Sequence, residues 1–290
     1  MDDTIRATTL SPDDILLSGQ IALVTGGAAG IGYGIAMGLA AFGADVAIAD
    51  IDPAAAEAAA AAIRAKGRRG IAIACNVMER DQVRSAIERT VSDLGGLDIL
   101  VNNAGGVRGA NLSDLSDRSI DRVIDINLVN LVTATQAAVK QMVSQGRGGS
   151  IINIASIEGM RAAPSYSVYA ACKAGMLNFT RTMALELGEH HIRVNAIAPD
   201  IVVTEAMMKM SDGAVDGPPM REARRRYIPL GRAGNFDDCA GAAVFLASRM
   251  ASYITGVTLN VDGGSWASGG WSRNDEGGWE LYPRALIATF

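Results

Sequence analysis

Short apolar runs alternate along the chain with longer stretches in which apolar residues recur at helical spacing. The runs are rich in β-branched residues, and several are apolar at nearly every position, as expected for strands buried on both faces. The predicted strands are Ile21–Thr25, Asp45–Ala49, Ile71–Ala74, Leu97–Val101, Ser150–Ile154, Arg193–Ala198 and Val257–Val261. Stretches such as Pro53–Lys66 and Asp81–Leu94 predict helices between them. This alternation predicts an α/β fold: a doubly wound parallel sheet of about seven strands with helices on both faces.

The chain shows no repeat and no low-complexity linker, so we expect a single domain over residues 19–264. Residues 1–18 are polar and acidic, and we expect them to form a surface arm. Residues 204–230 break the alternation with four methionines and the run Arg224–Arg226. Residues 265–290 contain all three tryptophans of the chain. A disordered tail would be poor in aromatic residues, so we expect this C-terminal extension to pack on something.

Composition narrows the classes of partner. The 26 basic and 31 acidic residues give a net charge of −5, which argues against nucleic acid or an anionic membrane as a partner. Three separate cysteines and the adjacent pair His190 and His191 make a disulfide framework or a metal site improbable. The N-terminus has no basic segment followed by an apolar one, so we expect a cytoplasmic protein.

A glycine-rich turn follows the first predicted strand directly. Glycines at 26, 30 and 32 provide a tight turn that opens a helix, and a helix N-terminus offers N–H groups to phosphate oxygens. The candidate dinucleotide contacts in this turn are Gly26, Ala29, Gly30, Ile31 and Gly32. The turn also accounts for the 24 uncharged residues of Ile21–Ala44, which contain seven glycines and are better explained by a nucleotide-binding unit than by a membrane span.

The end of the second strand indicates which dinucleotide is bound. Asp50 lies 18 residues after Gly32, and Asp50 and the following Ile51 are further candidate cofactor contacts. A carboxylate there can accept hydrogen bonds from ribose hydroxyls and would repel a 2′-phosphate, so we predict NAD as the cofactor in preference to NADP. A solvated turn carboxylate is the alternative interpretation of Asp50.

The chain resembles the classical short-chain dehydrogenase/reductase family over roughly residues 18–265, in the branch of 3-oxoacyl-carrier-protein reductases and secondary-alcohol dehydrogenases. The matching motifs, in order, are Thr25–Gly32, Asn102–Gly105, Asn127, Ser156, Tyr169–Lys173 and Val261–Gly264. The resemblance implies a Rossmann-type fold, an enzyme that uses NAD(P), and often a homotetramer. It also implies further cofactor contacts at Asn76, Val77, Asn103, Ala104, Gly105, Pro199, Val202 and Thr204. Asp200 stands where the family usually has glycine, which puts the local backbone in question.

Four residues are the candidate catalytic set. Tyr169 and Lys173 are four apart, so they share one face of a helix. A nearby ammonium and the positive nicotinamide of NAD⁺ would both favour the phenolate, so we expect the pKa of Tyr169 to be lowered toward the working range of a general acid/base. Ser156 would hydrogen-bond the substrate oxygen. Lys173 would also hold the ribose hydroxyls, and the resemblance implies that Asn127 positions a water linked to Lys173.

These residues predict an NAD(H)-dependent oxidoreductase that interconverts a small-molecule secondary alcohol and its ketone. One alternative is a 3-oxoacyl-thioester reductase, acting on a carrier-protein or coenzyme A thioester with NAD(P)H. The other is a non-catalytic nucleotide-binding protein, against which the intact set of four residues argues.

The methionines of residues 204–230 suit an adaptable, hydrophobic or acyl-like substrate pocket, or else the buried face of a short helix. Arg224–Arg226 could meet a phosphate of a thioester carrier or could be solvated surface. The C-terminal extension could be a lid over a neighbouring active site or a clasp between subunits, and we predict burial against another subunit.

Overall fold

The computed structural model describes residues 10–106 and 109–281. It contains a parallel sheet of seven strands in the order β3-β2-β1-β4-β5-β6-β7. The strands are β1 (Ile21–Thr25), β2 (Asp45–Asp50), β3 (Gly70–Ala74), β4 (Ile99–Asn102), β5 (Gly149–Ile154), β6 (Ile192–Pro199) and β7 (Thr258–Val261). All seven predicted strands are present, and the predicted fold class is confirmed.

The helices between the strands cover both faces of the sheet. They are α1 (Gly30–Ala41), α2 (Pro53–Ala65), α3 (Arg80–Leu94), α4 (Asp117–Ile124), α5 (Asn130–Gln145), α6 (Ser167–Glu186), α7 (Glu205–Met210), α8 (Pro218–Tyr227), α9 (Phe236–Ala247) and α10 (Ser265–Ser268). A π-helical turn, Asp125–Val129, joins α4 to α5. Within the described ranges no helix is long and apolar enough to cross a membrane.

The burial of β1 explains why its first four residues, Ile21–Val24, are all apolar. Ala22 and Val24 pack into the cluster formed with α1, α2 and α9. Ile21 and Leu23 pack on the opposite face with α3, α5 and α6. Successive side chains of a strand point to opposite faces, so a strand between two helical layers must be apolar throughout.

Glycines in α1 allow it to lie close to α9. A Cβ on Gly34 would lie 2.4 Å from the Cβ of Phe236, and one on Gly38 would lie 2.9 Å from the Cβ of Ala240. The glycines of the uncharged segment therefore serve the turn at the end of β1 and the packing of two helices.

The described part of the C-terminal extension folds onto its own chain. It forms α10 and a small antiparallel hairpin of β8 (Ser272–Arg273) and β9 (Trp279–Glu280). Arg273 donates a 3.3 Å hydrogen bond to the Pro229 carbonyl, just beyond α8, and its guanidinium lies 4.6 Å from the Trp279 ring centroid. Trp266, Trp271 and Trp279 remain 43%, 48% and 46% exposed. Residues 1–9 of the predicted arm and the last nine residues of the extension lie outside the described ranges.

Candidate active site

The site lies at the carboxyl edge of the sheet, where the strand order reverses between β1 and β4. In open parallel sheets this reversal leaves a crevice in which ligands bind. β1 ends at Thr25, and Gly26 and Gly30 then adopt φ values of +61° and +57°, which side chains other than glycine rarely adopt. Ala29 at the N-cap of α1 has no side-chain acceptor for the first N–H groups of that helix. This is the arrangement that receives a pyrophosphate.

The segment after β4 holds the glycine turn in place. The Asn103 side-chain Nδ2 donates to the carbonyls of Thr25 and Gly26, at 3.0 and 2.9 Å. The Thr25 hydroxyl accepts hydrogen bonds from the main-chain N–H groups of Asn103 and Ala104, both at 3.1 Å. A Cβ on Gly32 would lie 2.2 Å from the Gly26 carbonyl oxygen and 2.3 Å from the Asn103 Nδ2. Gly32 therefore leaves the space in which the Asn103 side chain bonds to the glycine turn.

Asp50 ends β2 beside the glycine turn. Its Oδ2 accepts a 3.0 Å hydrogen bond from the Ala28 N–H, and its Oδ1 accepts one of 3.1 Å from the Asp52 N–H. Across residues 10–106 and 109–281, no lysine or arginine forms an ion pair with it. The carboxylate is thus fixed against the turn and carries an uncompensated negative charge at the place predicted for the ribose.

Asn127 sits in the π-helical turn between α4 and α5, not in a regular helix. It is fully buried, and its Nδ2 donates to the carbonyls of Gly106 (2.8 Å) and Val123 (2.9 Å). Its Oδ1 accepts a 3.2 Å hydrogen bond from the Gly106 N–H. The side-chain amide therefore ties the segment after β4 to the end of α4. Its predicted role in holding a water stays a prediction.

Ser156 and Tyr169 are brought together by a tight turn after β5. Ser156 caps the 3₁₀ turn Ile157–Gly159, and its Oγ accepts a 3.2 Å hydrogen bond from the Glu158 N–H. A Cβ on Gly159 would lie 2.8 Å from the Lys173 carbonyl carbon, so this turn rests directly on α6. The Ser156 hydroxyl is close enough to the Tyr169 phenol to stabilise its ionised form.

Lys173 lies one helical turn after Tyr169 and is 4% exposed. Its Nζ donates a 2.7 Å hydrogen bond to the Ile154 carbonyl at the end of β5, and it lies 5.5 Å from the Tyr169 ring centroid. Burial lowers the pKa of Lys173 to about 8. The ammonium is therefore held between the end of the sheet and the tyrosine.

The described residues, 10–106 and 109–281, do not produce the expected lowering of the Tyr169 pKa. Burial raises that pKa, and the charge of Glu158 raises it further, whereas the hydrogen bond with Ser156 acts in the opposite direction. Desolvation disfavours the phenolate, and it outweighs the effect of the hydrogen bond here. Any lowering would have to come from an additional positive charge, such as that of oxidised nicotinamide.

These residues line a cavity of about 320 Å³. The predicted residues in its wall are Gly26, Ala29, Ile31, Asn103, Ala104, Gly105, Asn127, Ser156, Tyr169, Lys173, Pro199 and Thr204. Sequence reasoning did not select four further wall residues as contacts: Gly106, Ile154, Ala155 and Asp200. Ile154 is the last residue of β5, and Ala155 joins it to Ser156, so their position at the end of a strand was a signal that the sequence offered.

Seven predicted cofactor contacts lie outside the wall of this cavity: Gly30, Gly32, Asp50, Ile51, Asn76, Val77 and Val202. Asp50 and Asn76 lie at the carboxyl ends of β2 and β3, farther along the same edge of the sheet. An extended dinucleotide could reach them from the glycine turn. The Val202 side chain is buried in the hydrophobic core, so a contact there would have to come from its backbone.

Asp200 is part of a charged group beside the catalytic cavity. Its Oδ1 lies 3.6 Å from the Arg161 guanidinium, which also contacts Glu158 at 2.7 Å. These carboxylates raise the pKa of Arg161. The residue that departs from the family pattern is thus paired with an arginine that follows Ser156 by five positions. A larger cavity, about 950 Å³, lies at the opposite, amino end of the strands, far from this chemistry.

Comparison with known proteins identifies the family. The family model described as enoyl-(acyl carrier protein) reductase matches residues 26–265. The chain is 40% identical to galactitol 2-dehydrogenase of Agrobacterium fabrum over 87% of this chain and 99% of that protein. It is 38% identical to the 3-oxoacyl-[acyl-carrier-protein] reductase FabG of Chlamydia muridarum, over 86% of this chain and 98% of that protein. The chain belongs to the short-chain dehydrogenase/reductase family.

Solved structures of short-chain dehydrogenases share the fold of this chain. A 7α-hydroxysteroid dehydrogenase in complex with NADH and 7-oxo glycochenodeoxycholic acid superposes with a TM-score of 0.82, at 33% identity, over 88% of this chain and 98% of that one. Other solved members carry NADP. The chain is thus a short-chain oxidoreductase of the NAD(P)-dependent type, and the predictions of the family and of an enzyme are confirmed.

Proposed function

We propose that this short-chain dehydrogenase is NAD-dependent and interconverts a secondary alcohol and its ketone, with Tyr169 as general acid/base. The observation that carries the proposal is the meeting of Ser156, Tyr169 and Lys173 in one cavity with the glycine turn. A proton-exchanging phenol, a hydrogen-bond partner for a substrate oxygen and a buried ammonium are the groups that carbonyl reduction and alcohol oxidation require.

The residues fit a dinucleotide. The uncapped N-terminus of α1 would bind the pyrophosphate, Asp50 the adenosine ribose and Lys173 the nicotinamide ribose. When bound, the nicotinamide would supply the hydride chemistry and, in its oxidised form, a positive charge that favours the phenolate of Tyr169.

Asp50 supports NAD over NADP. Its carboxylate is fixed against Ala28 and has no basic partner among residues 10–106 and 109–281, so a 2′-phosphate at this place would meet a negative charge. Ala28 and Ala29 supply no positive side chain to offset it. Family members bind either cofactor, so this preference rests on Asp50.

The proton step follows from the contacts of Tyr169. In oxidation, the phenolate of Tyr169 takes the hydroxyl proton of the alcohol; in reduction, the phenol returns it to the ketone oxygen. Ser156 lies beside the same phenol in the cavity wall, so its hydroxyl is placed to donate to the substrate oxygen. The Lys173 Nζ donates a 2.7 Å hydrogen bond to the Ile154 carbonyl, and this bond fixes a positive charge at the same site.

Reduction of a 3-oxoacyl thioester is the second candidate function, because FabG proteins are among the relatives. The basic run that could have bound a carrier phosphate is occupied by acidic side chains. Arg224 is buried against Asp216 at 3.0 Å, and Arg225 and Arg226 contact Glu222 at 2.8 and 3.1 Å. This pairing favours the alcohol dehydrogenase.

A homotetramer and a cytoplasmic location belong to the same proposal. Exposed apolar side chains on α5 and α6, among them Val132 and Leu185, support assembly with other copies. The three cysteines, which are buried and free, suit a reducing compartment. The contact of the C-terminal extension with another subunit is supported by its three half-exposed tryptophans, although the described part packs against α8.

The test is the initial rate of NADH formation with a panel of secondary alcohols, repeated with NADP⁺, and of NADH and NADPH consumption with acetoacetyl-coenzyme A. We expect alcohol oxidation with NAD⁺ at a kcat/KM at least tenfold above that with NADP⁺. Faster turnover of the thioester with NADPH than of any alcohol would replace this proposal with the second candidate.

A further inference from the structure

A second cavity adjoins the catalytic one on the side of Asp200. It has a volume of about 540 Å³ and lies between α8, the segment after β6 and the C-terminal extension. Asp200 lines both cavities, so the second one adjoins the cavity that contains Tyr169. Its size is in the range of pockets that hold drug-sized ligands.

Large apolar side chains line much of this cavity. Trp266 and Trp271 come from the extension, and Met220, Tyr227 and Ile228 come from α8 and the residue after it. An indole ring offers a broad, rigid apolar face, and a methionine adapts to the shape of what it contacts. A wall of this kind favours a bulky apolar group over a chain of hydroxyl groups, which would lose hydrogen bonds to water there.

The charged border of the cavity disfavours an anionic substrate. Arg161 is paired with Glu158 and Asp200 and is also close enough to Asp262 to be affected by its charge. The other arginine of the wall, Arg224, is ion-paired with Asp216 at 3.0 Å, so both guanidinium groups already have carboxylate partners. A carboxylate or phosphate on the substrate would have to compete with these carboxylates for a cationic partner, and burying it against the apolar wall would be costly.

The wall is not purely apolar. Arg224 Nε and Ser265 Oγ are buried in residues that line this cavity and have no hydrogen-bond partner among the described residues. Both atoms lie beneath the accessible surface of the wall, so the surface that a ligand would contact is set by the aromatic and aliphatic side chains.

We propose that the chain's own C-terminal extension forms the distal wall of the substrate site, where Trp266 and Trp271 select a bulky, neutral, largely apolar secondary alcohol or ketone. This inference rests on the proposed function, because it places the substrate between the second cavity and Tyr169. It gives the extension a role within its own subunit, whether or not it also contacts a neighbour.

The chain offers a matched control. Trp279 belongs to the same extension and is as exposed as Trp271, but it stacks on Arg273 and does not line the cavity. The experiment compares kcat/KM for decahydro-2-naphthol, a bicyclic alcohol, with kcat/KM for butan-2-ol, which is too short to fill the second cavity. The variants are Trp271→Ala, Trp266→Ala, Trp271→Phe and Trp279→Ala, each in the full chain with NAD⁺.

We expect the wild-type protein to favour the bicyclic alcohol over both butan-2-ol and galactitol. Trp271→Ala and Trp266→Ala should each lower the bicyclic-to-butanol ratio at least tenfold, Trp271→Phe should lower it less, and Trp279→Ala should leave it within twofold. An unchanged ratio in both alanine variants of the cavity, an equal loss in Trp279→Ala, or a wild-type preference for galactitol would overturn the inference.

A binding measurement separates this inference from the proposed function. All three tryptophans of the chain lie in the extension, so intrinsic tryptophan fluorescence reports on it alone. The Tyr169→Phe variant with NAD⁺ is titrated with decahydro-2-naphthol and with galactitol. A saturable change with the bicyclic alcohol, at least tenfold tighter than with galactitol, supports the inference even if no alcohol is oxidised. Absence of any change would contradict it even if alcohols are oxidised.

Discussion

The Lys173 ammonium lies 5.5 Å from the ring centroid of Tyr169, and its hydrogen bond goes to the Ile154 carbonyl, at 2.7 Å. The lysine is thus anchored by the end of a buried strand, and its charge faces the phenol at a fixed separation. Burial acts on both groups in the direction of the neutral form: it lowers the pKa of Lys173 and raises that of Tyr169. The two residues form a site whose charge state is set by desolvation as well as by their proximity.

The low pKa of Lys173 predicts a pH-dependent stability. Its folded pKa of about 8 lies below its ordinary 10.5, so between these values the unfolded chain binds more protons and stability rises with pH. From pH 7.5 to 9.5 the free energy of unfolding of the wild-type protein should rise by about 2 kcal/mol relative to Lys173→Met. Urea unfolding of both proteins across this range measures it. A constant difference between them would show that Lys173 titrates normally.

Asp50 should determine the choice of cofactor. Asp50→Asn removes the charge but keeps an oxygen that can accept from the Ala28 N–H, so NADP⁺ affinity should rise at least tenfold relative to NAD⁺, or ~1.4 kcal/mol. Calorimetric titration with both cofactors checks this. Asp52→Asn is the control, because it removes a charge two residues away and preserves an oxygen for the cap of α2. Equal shifts in the two variants would indicate a general electrostatic effect and not selection by Asp50.

Gly32 should not tolerate a side chain. Gly32→Ala would bring a methyl group within 2.3 Å of the Gly26 carbonyl and the Asn103 amide, both held by hydrogen bonds. We expect a loss of ~1–3 kcal/mol in stability and weaker NAD⁺ binding. Gly241→Ala, on α9 with open space around it, should be neutral or slightly stabilising. Thermal unfolding of the two variants measures the difference in stability. Similar melting temperatures would mean that the glycine turn accommodates a methyl group at position 32 without loss of stability.

Asn127 should contribute to stability through its side chain. Asn127→Ala removes three hydrogen bonds at a fully buried amide and leaves the Gly106 groups without that partner, so we expect a loss of ~2–3 kcal/mol. Asn178→Ala, on the exposed face of α6, should change stability by less than ~0.5 kcal/mol. Denaturant midpoints measure both. A loss of activity in Asn127→Ala at unchanged stability would mean that the side chain acts in the reaction and not in holding the loop.

The strands were predictable because burial on both faces leaves a clear signal. The first four residues of β1 and the four residues between the two aspartates of β2 are all apolar, since alternate side chains enter the two clusters on opposite faces of the sheet. The choice of Tyr169 and Lys173 came from the resemblance to the family motif, and their spacing added that the two side chains share one face of a helix. The strands and this shared face both depend on local periodicity, which a single sequence displays directly.

Other features depend on contacts between distant segments. No pattern of residue spacing in the sequence predicts the π-helical turn at Asn127. This turn is stabilised by hydrogen bonds to Gly106, which is 21 residues away. Whether the pKa of Tyr169 is raised or lowered depends on how deeply its side chain is buried, and residue spacing does not show burial. Asp200 was visible as a departure from the family pattern, but its partner Arg161 comes from a different strand end. The fold of the extension onto α8 was likewise not encoded in a periodic pattern.

The most direct test of the central claim replaces Tyr169 with phenylalanine and measures hydride transfer and cofactor binding on the same preparation. If Tyr169 is the general acid/base, kcat/KM for alcohol oxidation with NAD⁺ falls by at least ~10²-fold while the Kd for NAD⁺ stays within about threefold. Tyr166→Phe, three residues earlier and without a lysine four residues on, should remain close to wild type. Alcohol oxidation by Tyr169→Phe at more than about a tenth of the wild-type kcat/KM would contradict the assignment.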